Sequence, residues 1–389
     1  MSIDGLCILE EGSVWQESRP DFFSSPVHRQ FDRSTVETPD VRPEQAQQAL
    51  FSSFISLSAG LGPVKSRNED DILLKPYLFR DIGTVGGSLS LLGHGNSFRV
   101  YVLSEDDSVD GNARYVFKRT IPPVRQQQDS DSFFRSRAKA LMLELRTLAH
   151  ARIRQHENIV KLLGLAWETD QFDRTRKWPV FIMERATRGT LVDLLQPESH
   201  YNLPTRLHLM LDITLGLEAL HKCGIVQGDI KFENVLVFDN PDDGRPFVAK
   251  LADFGGAMFD VLAPSTLPSG TRPWNAPEWR DQLDMEELLL TDVYSLGFAL
   301  WRILANGKHP FLEPGAPRSE AWLERADILK GNDETMREHF AKLSEELETE
   351  AERLLAGIVI AFTVKRVPAD RNLEEVKKLL AGTMLRQSR

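Results

Sequence analysis

One region decides how this chain is interpreted: Gly228-Asp229-Ile230-Lys231-Phe232-Glu233-Asn234, followed downstream by Asp253-Phe254-Gly255 and Ala276-Pro277-Glu278. An aspartate such as Asp229 can accept the proton of a hydroxyl group. The side chains of Asn234 and Asp253 can supply the oxygen ligands that Mg²⁺ prefers. A protein needs these groups to hold a nucleophile and magnesium around a transferring phosphoryl group. The region therefore favours phosphoryl-transfer chemistry.

These motifs resemble the catalytic loop, the metal-binding Asp-Phe-Gly and the Ala-Pro-Glu of the eukaryotic-type protein kinase family. The resemblance implies a bilobal α+β fold, with a small, mostly antiparallel β N-lobe that carries one helix and a larger helical C-lobe. It places a nucleotide cleft between the lobes, with ATP and Mg²⁺ as cofactors and a protein as the substrate. Lys231 and Gly270-Thr271 match the serine/threonine kinases rather than the tyrosine kinases, so serine or threonine is the expected acceptor.

The same resemblance assigns roles to the charged and polar residues of the quoted region. Asp229 would act as the base, and Lys231 would steady the γ-phosphate. Asn234 and Asp253 would hold the magnesium ions. The structural alternative is a polar turn rich in acids, which we disfavour because residue type, order and spacing all agree.

Lys118 and Glu144 are the predicted catalytic residues upstream of this region. Lys118 ends an apolar strand, and a lysine that points into a cleft can pair with the α- and β-phosphates as a point charge. By the resemblance, Glu144 is its partner from the following helix, and no other acid occurs between Asp131 and Glu144. Without the downstream motifs, both would be interpreted as surface residues.

A turn with two glycines lies among the predicted strands: Gly93-His94-Gly95-Asn96-Ser97-Phe98-Arg99-Val100. It resembles the kinase glycine loop G-x-G-x-x-G-x-V, with Phe98 in place of the third glycine. Glycines let backbone N–H groups approach phosphate oxygens without a Cβ in the way, so Phe98 predicts lower ATP affinity. Met183-Glu184-Arg185-Ala186 resembles the hinge whose backbone binds adenine. The residues predicted to bind the nucleotide are Leu92, Gly93, Gly95, Val100, Val116, Lys118, Glu184, Ala186 and Leu236.

Hydrophobic periodicity predicts strands first and helices afterwards. Residues 88–117 contain three strand-like segments with a glycine turn, and strand signals return at 159–167 and 178–183. A helical pattern runs from 133 to 148. Residues 293–304 are apolar on nearly every side, as expected of a helix buried in the middle of a domain. Independently of the resemblance, this order indicates an α+β chain with two lobes of different class.

The predicted organisation is an extension followed by one kinase-like domain. Residues 1–75 mix Ser, Pro, Gln and charged residues with little periodicity, so we expect a flexible extension with one helix near residues 43–60. The domain would then occupy residues 76–385, with the N-lobe at about 76–183, the hinge at 184–189 and the C-lobe at about 190–385.

Composition and charge disfavour several classes of function. The net charge of -10 and the pI near 5.5 disfavour a nucleic-acid surface, because neutralising phosphates needs clustered Lys and Arg. The longest apolar run, residues 354–362, is too short to cross a bilayer of about 30 Å, and residues 1–12 lack the basic flank of a secretory signal. Two cysteines, Cys7 and Cys223, make a disulfide framework implausible. We therefore expect no membrane span and a cytoplasmic or nuclear location, while nothing in the sequence indicates the oligomeric state.

The chain departs from the family pattern before the catalytic aspartate, where Gln227-Gly228-Asp229 replaces His-Arg-Asp. The missing arginine removes the usual anchor of a phosphorylated activation loop. We therefore predict activity without phosphorylation of Ser265, Thr266 or Ser269. Gln227 would lie under Phe254, where an amide without hydrogen-bond partners costs roughly 1–3 kcal/mol.

Two alternatives to an active protein kinase remain open at this point. Gln227, Gly228 and Phe98 are compatible with a pseudokinase that serves as a scaffold or nucleotide-binding module. Small-molecule kinases of the aminoglycoside or choline type often carry a glycine before the aspartate, but they lack the Ala-Pro-Glu segment. By the resemblance, Arg371 in Ala369-Asp370-Arg371 is the distant arginine that pairs with Glu278 of that segment. These two residues therefore favour a protein substrate.

Overall fold

The computed structural model describes residues 89–95, 98–103, 114–121, 130–169, 177–196, 198–240, 244–268, 270–312 and 319–387. The predicted extension over residues 1–75, with its helix near 43–60, lies outside the described residues. Ser269 also lies outside them.

An antiparallel sheet of five strands forms the first lobe. Opposite residues of an antiparallel pair share a face, and Val100 lies opposite Lys118 while Val116 lies opposite Met183. Those side chains face the main core, whereas Phe117 belongs to a separate cluster on the other face. The strand order is β1-β2-β3-β5-β4, with β1 at Leu89–His94, β2 at Phe98–Leu103, β3 at Tyr115–Thr120, β4 at Leu162–Thr169 and β5 at Lys177–Glu184.

Helix α1, Ser130–Ala149, packs against this sheet and contains the helix predicted over residues 133–148. Leu141, Leu145 and Leu148 recur at helical spacing and are almost completely buried. Glu144 is fully buried beside them, although it is an acid. A buried carboxylate requires a partner, and that partner is described with the site below.

The second lobe is mainly helical, and side-chain caps define where several helices begin. Asn202 accepts the backbone N–H of Thr205, and Asp284 forms a reciprocal capping box with Glu287. The helices are α2 at Leu191–Leu194, α3 at Leu203–His221, α4 at Met285–Leu304, α5 at Glu320–Lys330, α6 at Asp333–Ser344, α7 at Glu350–Thr363 and α8 at Leu373–Gln387.

Helix α4 lies at the centre of the second lobe, as its apolar sequence predicts. Leu296, Phe298 and Leu300 have no exposed surface. At Gly297 a Cβ atom would stand 2.1 Å from Oγ1 of Thr363, so only glycine allows α7 to pack this closely. Within the described ranges, no helix combines the length and the apolar character needed to traverse a bilayer.

Two short antiparallel strand pairs flank the loops that contain the motif residues. Strand β6, Ile225–Val226, pairs with β9, Met258–Phe259, and β7, Val235–Asp239, pairs with β8, Phe247–Leu251. The loop with Asp229 therefore connects β6 to β7, and the loop with Asp253 connects β8 to β9. Because each of these loops connects one strand pair to the other, both aspartates lie between the two pairs.

Asp212 of α3 predicts a pH dependence of stability. It is buried and accepts hydrogen bonds from the backbone N–H of Ala249 (2.8 Å) and from Nη1 of Arg245 (2.9 Å). Burial outweighs these bonds and raises the pKa of Asp212 from 3.8 to about 6. Between these two values the folded protein binds more protons than the unfolded chain, so stability falls as the pH rises through this window, by at most about 3 kcal/mol.

The measurement is urea unfolding at pH 4.5 and pH 7. We expect the free energy of unfolding at pH 4.5 minus that at pH 7 to be smaller in Asp212→Asn than in the wild type. Glu157→Gln is the control, because Glu157 pairs with the same Arg245 but its side chain is 62% exposed. An identical pH dependence in wild type and Asp212→Asn would contradict the assignment.

Candidate active site

Both carboxylate oxygens of Asp229 are engaged by hydrogen bonds. Oδ1 accepts the hydroxyl of Thr271 at 2.6 Å. Oδ2 accepts Nζ of Lys231 at 2.6 Å and Nδ2 of Asn234 at 3.0 Å. Lys231 also donates to Oγ1 of Thr271 at 2.8 Å. Three neighbours therefore fix the orientation of this carboxylate, and the side chain keeps 20% of its surface exposed.

Lys118, Glu144 and Asp253 form a second charged cluster. Nζ of Lys118 donates to both carboxylate oxygens of Glu144, at 2.7 and 2.8 Å, and to Oδ1 of Asp253 at 3.0 Å. Burial disfavours the ammonium charge, but the carboxylates of Asp253 and Glu144 outweigh it and raise the pKa of Lys118. Lys118 in turn lowers the pKa of Asp253. Burial raises the pKa of Glu144, while the ammonium of Lys118 opposes that shift. The predicted contact between the strand lysine and the α1 glutamate is present, and the Asp-Phe-Gly aspartate joins it.

The oxygen atoms of Asn234 and Asp253 fit a hard divalent cation. Nδ2 of Asn234 donates to the carbonyl oxygen of Asp229 at 2.8 Å and to its carboxylate, so the amide oxygen of Asn234 points away from Asp229. The side chain of Asp253 is 46% exposed, and its backbone has a φ of 59°, in the left-handed region that is uncommon for residues other than glycine. The backbone N–H of Ala252 donates to the carbonyl of Asn234 at 2.9 Å, which holds the two loops together. One carboxylate and one amide oxygen are suitable Mg²⁺ ligands.

Gln227 satisfies its buried amide by bridging these two loops. Its Oε1 accepts the backbone N–H of Asp229 at 2.6 Å. Its Nε2 makes long hydrogen bonds, 3.4 Å each, to the carbonyls of Ala252 and Asp253. Phe254 is fully buried in the same core. The amide therefore has the partners that the sequence analysis required, and it connects the Asp229 loop with the Asp253 loop.

Asp292 of α4 holds the backbone that leads into Asp229, a role that the sequence analysis did not assign. Its carboxylate accepts the backbone N–H groups of Gln227 and Gly228, both at 2.8 Å. His221 lies 3.1 Å from the same carboxylate. Gly228 has a φ of +79°, in the left-handed region that glycine adopts without strain.

The residues predicted to bind the nucleotide lie mostly on the core side of the sheet and at its end. Val116 is buried in the main core, and Val100 and Leu236 pack against it, whereas Leu92 is 53% exposed and outside this cluster. Gly93 lies near the end of β1 and Gly95 in the turn that follows it, and a Cβ at either would meet open space. Ala186 and Glu184 are partly buried at the end of β5.

Glu184 has a structural partner that sequence reasoning missed. Its carboxylate accepts Nζ of Lys250 at 2.8 Å to each oxygen, and it also accepts the backbone N–H of Lys161. Its own backbone N–H donates to the carbonyl of Lys161 at 3.2 Å. Because Lys250 belongs to β8, this pair connects the end of the first lobe's sheet to the hairpin that precedes Asp253.

The segment between Asp253 and Glu278, which we call the activation segment, is held by apolar packing. Leu267 is buried in a cluster with Val226, Leu283 and Leu288. A Cβ added to Gly228 would lie 3.8 Å from Cδ2 of Leu267 and 3.1 Å from the carbonyl oxygen of Gly256. A side chain larger than that of glycine at position 228 would therefore extend toward Leu267.

Backbone hydrogen bonds add to this packing. Ser265 and Leu283 exchange both N–H···O bonds, at 2.9 and 3.0 Å. Arg146 of α1 donates to Asp260 at 2.6 Å and lies over the ring of Phe259, although the ion pair is exposed and contributes little by itself. These contacts tie the activation segment to the chain that follows it and to α1.

Glu278 and Arg371 form the distant ion pair that the sequence analysis predicted. Arg371 donates to both oxygens of Glu278, with Nη2 at 3.0 Å from Oε2. It also donates to the carbonyls of Lys365, Leu290 and Arg366. Its side chain has no exposed surface, so the guanidinium bonds to Glu278 and to these carbonyls and not to solvent.

Comparison with known proteins identifies a family and several similar kinases. The family described as protein kinase domain matches residues 88–375. The chain is 31% identical over 248 residues to serine/threonine-protein kinase unc-51 of Caenorhabditis elegans, which covers 62% of this chain and 26% of that protein. It is 28% identical over 273 residues to the G-type lectin S-receptor-like serine/threonine-protein kinase LECRK1 of Oryza sativa subsp. indica (68% and 30%). It is also 30% identical over 188 residues to human receptor-interacting serine/threonine-protein kinase 1 (44% and 26%). The chain thus spans less than a third of the length of these relatives.

Proposed function

Because this chain belongs to the protein kinase domain family, we propose that it transfers the γ-phosphoryl group of ATP to serine or threonine hydroxyls of protein substrates. The observation that carries the proposal is the fixed carboxylate of Asp229, connected through Asn234 and Gln227 to the loop of Asp253. In the proposed reaction the acceptor oxygen forms a bond to the γ-phosphorus while the bond to the bridging oxygen of ADP breaks. Asp229 takes the proton of the hydroxyl.

The other charged residues would position the nucleotide. Lys118, kept cationic by Glu144 and Asp253, would bind the α- and β-phosphates. Asn234 and Asp253 would hold Mg²⁺, which when bound neutralises phosphate charge. The base would lie among Leu92, Val100, Val116, Leu236 and the backbone of Glu184 and Ala186, with the glycine turn of Gly93 and Gly95 over the phosphates. We propose residues 76–385 as the domain that performs these steps.

Serine or threonine is the proposed acceptor because of the contacts around Asp229. Lys231 and Thr271, the residues that match the serine/threonine kinases, both bind its carboxylate and each other. The buried pair of Glu278 and Arg371 fixes the far end of the activation segment and favours a protein over a small alcohol as the substrate.

The full chain incubated with radiolabelled ATP and Mg²⁺ tests the proposal. We expect label on serine and threonine of generic protein or peptide substrates, and none on aminoglycosides or choline, with Asp229→Asn as the blank. Label on small alcohols alone would establish the small-molecule alternative. Binding of ATP without any transfer would establish the nucleotide-binding scaffold, the alternative that the position of Phe98 favours.

Phosphorylation of the activation segment is predicted to be unnecessary for activity. Ser265→Ala, Thr266→Ala and Ser269→Ala combined should leave transfer activity within about threefold of the wild type, because no basic anchor stands at Gly228 and packing already holds the segment. The measurement is the initial rate with dephosphorylated protein.

Leu267→Asp is the contrasting variant. It places a charge in the apolar cluster, where an unpaired carboxylate is costly, so we expect activity to fall more than about tenfold. Loss of activity in the triple alanine variant would show that these hydroxyl residues are required, and full activity in Leu267→Asp would show that the apolar packing is not.

A further inference from the structure

Phe98 covers the ammonium group of Lys118. Its side chain is only 6% exposed, and its ring centroid lies 4.4 Å from Nζ of Lys118. The residue stands where the glycine loop of the family carries its third glycine, which has no side chain to place there. The contact therefore arises from a residue in which this chain differs from the family pattern.

Strand geometry explains why the ring points at the lysine. Phe98 and Val100 are two residues apart on β2 and share a face. Val100 lies opposite Lys118 and Phe98 lies opposite Thr120, so Phe98 and Lys118 are diagonal neighbours on that face. The backbone N–H of Gly95 donates to the carbonyl of Phe98 at 2.8 Å, which holds the end of the turn against the strand.

The ammonium of Lys118 is enclosed as a result. It donates to two oxygens of Glu144 and one of Asp253, and the ring occupies a further side. A cation under an aromatic face is held by the ring quadrupole, more strongly when it is desolvated. Phosphate oxygens that approach Lys118 have to displace this ring, whereas a nucleoside has no group that needs Lys118.

We propose that Phe98 is a selectivity residue of the nucleotide site, which weakens binding of the triphosphate relative to binding of the nucleoside by closing over Lys118. This inference rests on the proposed function, because it takes the cleft around Lys118 as an ATP site. It goes beyond the lower affinity expected from a crowded backbone, because it assigns the effect to the ring and to one partner.

The chain provides a matched control. Nζ of Lys250 also lies 4.4 Å from an aromatic centroid, that of Phe238, on β7. Phe238→Leu removes a lysine–aromatic contact of the same length from a lysine that is not assigned to phosphate binding. Any general effect of losing such a contact on the fold would appear in this variant too.

The experiment is calorimetric titration of the full chain with a non-hydrolysable ATP analogue plus Mg²⁺, and separately with adenosine. We expect Phe98→Gly to bind the triphosphate analogue about tenfold more tightly than the wild type and adenosine within about twofold. Phe98→Leu, which keeps bulk but loses the ring, should show a smaller gain in the same direction, and Phe238→Leu should show none. Thermal unfolding of each variant accompanies the titrations, and Phe98→Leu decides the question if Phe98→Gly does not fold.

Equal or weaker binding of the triphosphate by the folded Phe98 variants would overturn the inference while leaving the proposed function in place. A parallel gain for adenosine would overturn it as well, because the ring would then crowd the whole site. Failure of wild type and variants to bind either ligand would overturn both the inference and the proposed function.

Discussion

Replacing Asp229 with asparagine is expected to lower the rate of phosphoryl transfer by about a thousandfold or more, since general base catalysis and orientation of the nucleophile are lost together. The change is nearly isosteric, so Thr271 and Asn234 keep a neighbour of the same size. Only the negative charge and the basic oxygen disappear. Binding of the nucleotide should therefore change little, because Lys118 and Asp253 are untouched.

Single-turnover transfer and nucleotide titration on the same preparation measure the two effects separately. Glu346→Gln is the matched control, since Glu346 also pairs with a lysine, Lys308, but at an exposed position. The control should retain the wild-type rate. If Asp229→Asn kept more than about a tenth of that rate, a role as general base would be untenable.

Replacing Arg371 with methionine is expected to lower the free energy of unfolding by about 3–5 kcal/mol, the usual effect of removing one partner from a buried ion pair. Glu278 would remain 9% exposed and without its cation. Three backbone carbonyls, those of Lys365, Leu290 and Arg366, would also lose their donor. Equilibrium unfolding in urea measures the effect.

A second substitution separates charge from packing. Arg371→Met combined with Glu278→Gln should recover part of the lost stability, because the uncompensated charge is gone while the carbonyls stay unpaired. Arg337→Met is the control, since its pair with Glu334 is about 70% exposed on both sides and such pairs contribute little. A double variant no more stable than Arg371→Met alone would assign the loss to the carbonyl contacts instead.

Much of the fold could be predicted because its signals are local. The strands around Val100 and Val116 and the leucine face of α1 follow from periodicity, and α4 follows from its uninterrupted apolar sequence. The motif residues Asp229 and Asp253 could be placed near each other because their spacing corresponds to one hairpin. The roles proposed for them, and for ATP and Mg²⁺, remain predictions that the experiments above address.

The contacts that could not be predicted depend on pairs distant in sequence. Nothing near Gln227 indicates that its amide would bridge to the carbonyls of Ala252 and Asp253, because that depends on a side-chain rotamer. The pair of Glu184 and Lys250 likewise joins residues that are unremarkable when taken separately.

Phe98 is a different case. The alternation of β2 places its ring on the same face as Val100, and the pairing of β2 with β3 brings that face beside Lys118. A signal for the contact with Lys118 was therefore present in the sequence.

The close approach of α7 to Gly297 affects the helix that holds the loop of Asp229. Gly297 lies on the same rigid helix, α4, as Asp292, whose carboxylate holds the amides of Gln227 and Gly228. The spacing between α4 and α7 at Gly297 and Thr363 therefore affects where Asp292 lies relative to the loop of Asp229. A Cβ at position 297 would collide with Thr363 and force α4 and α7 apart. The placement of the Asp229 loop therefore depends on a residue with no side chain.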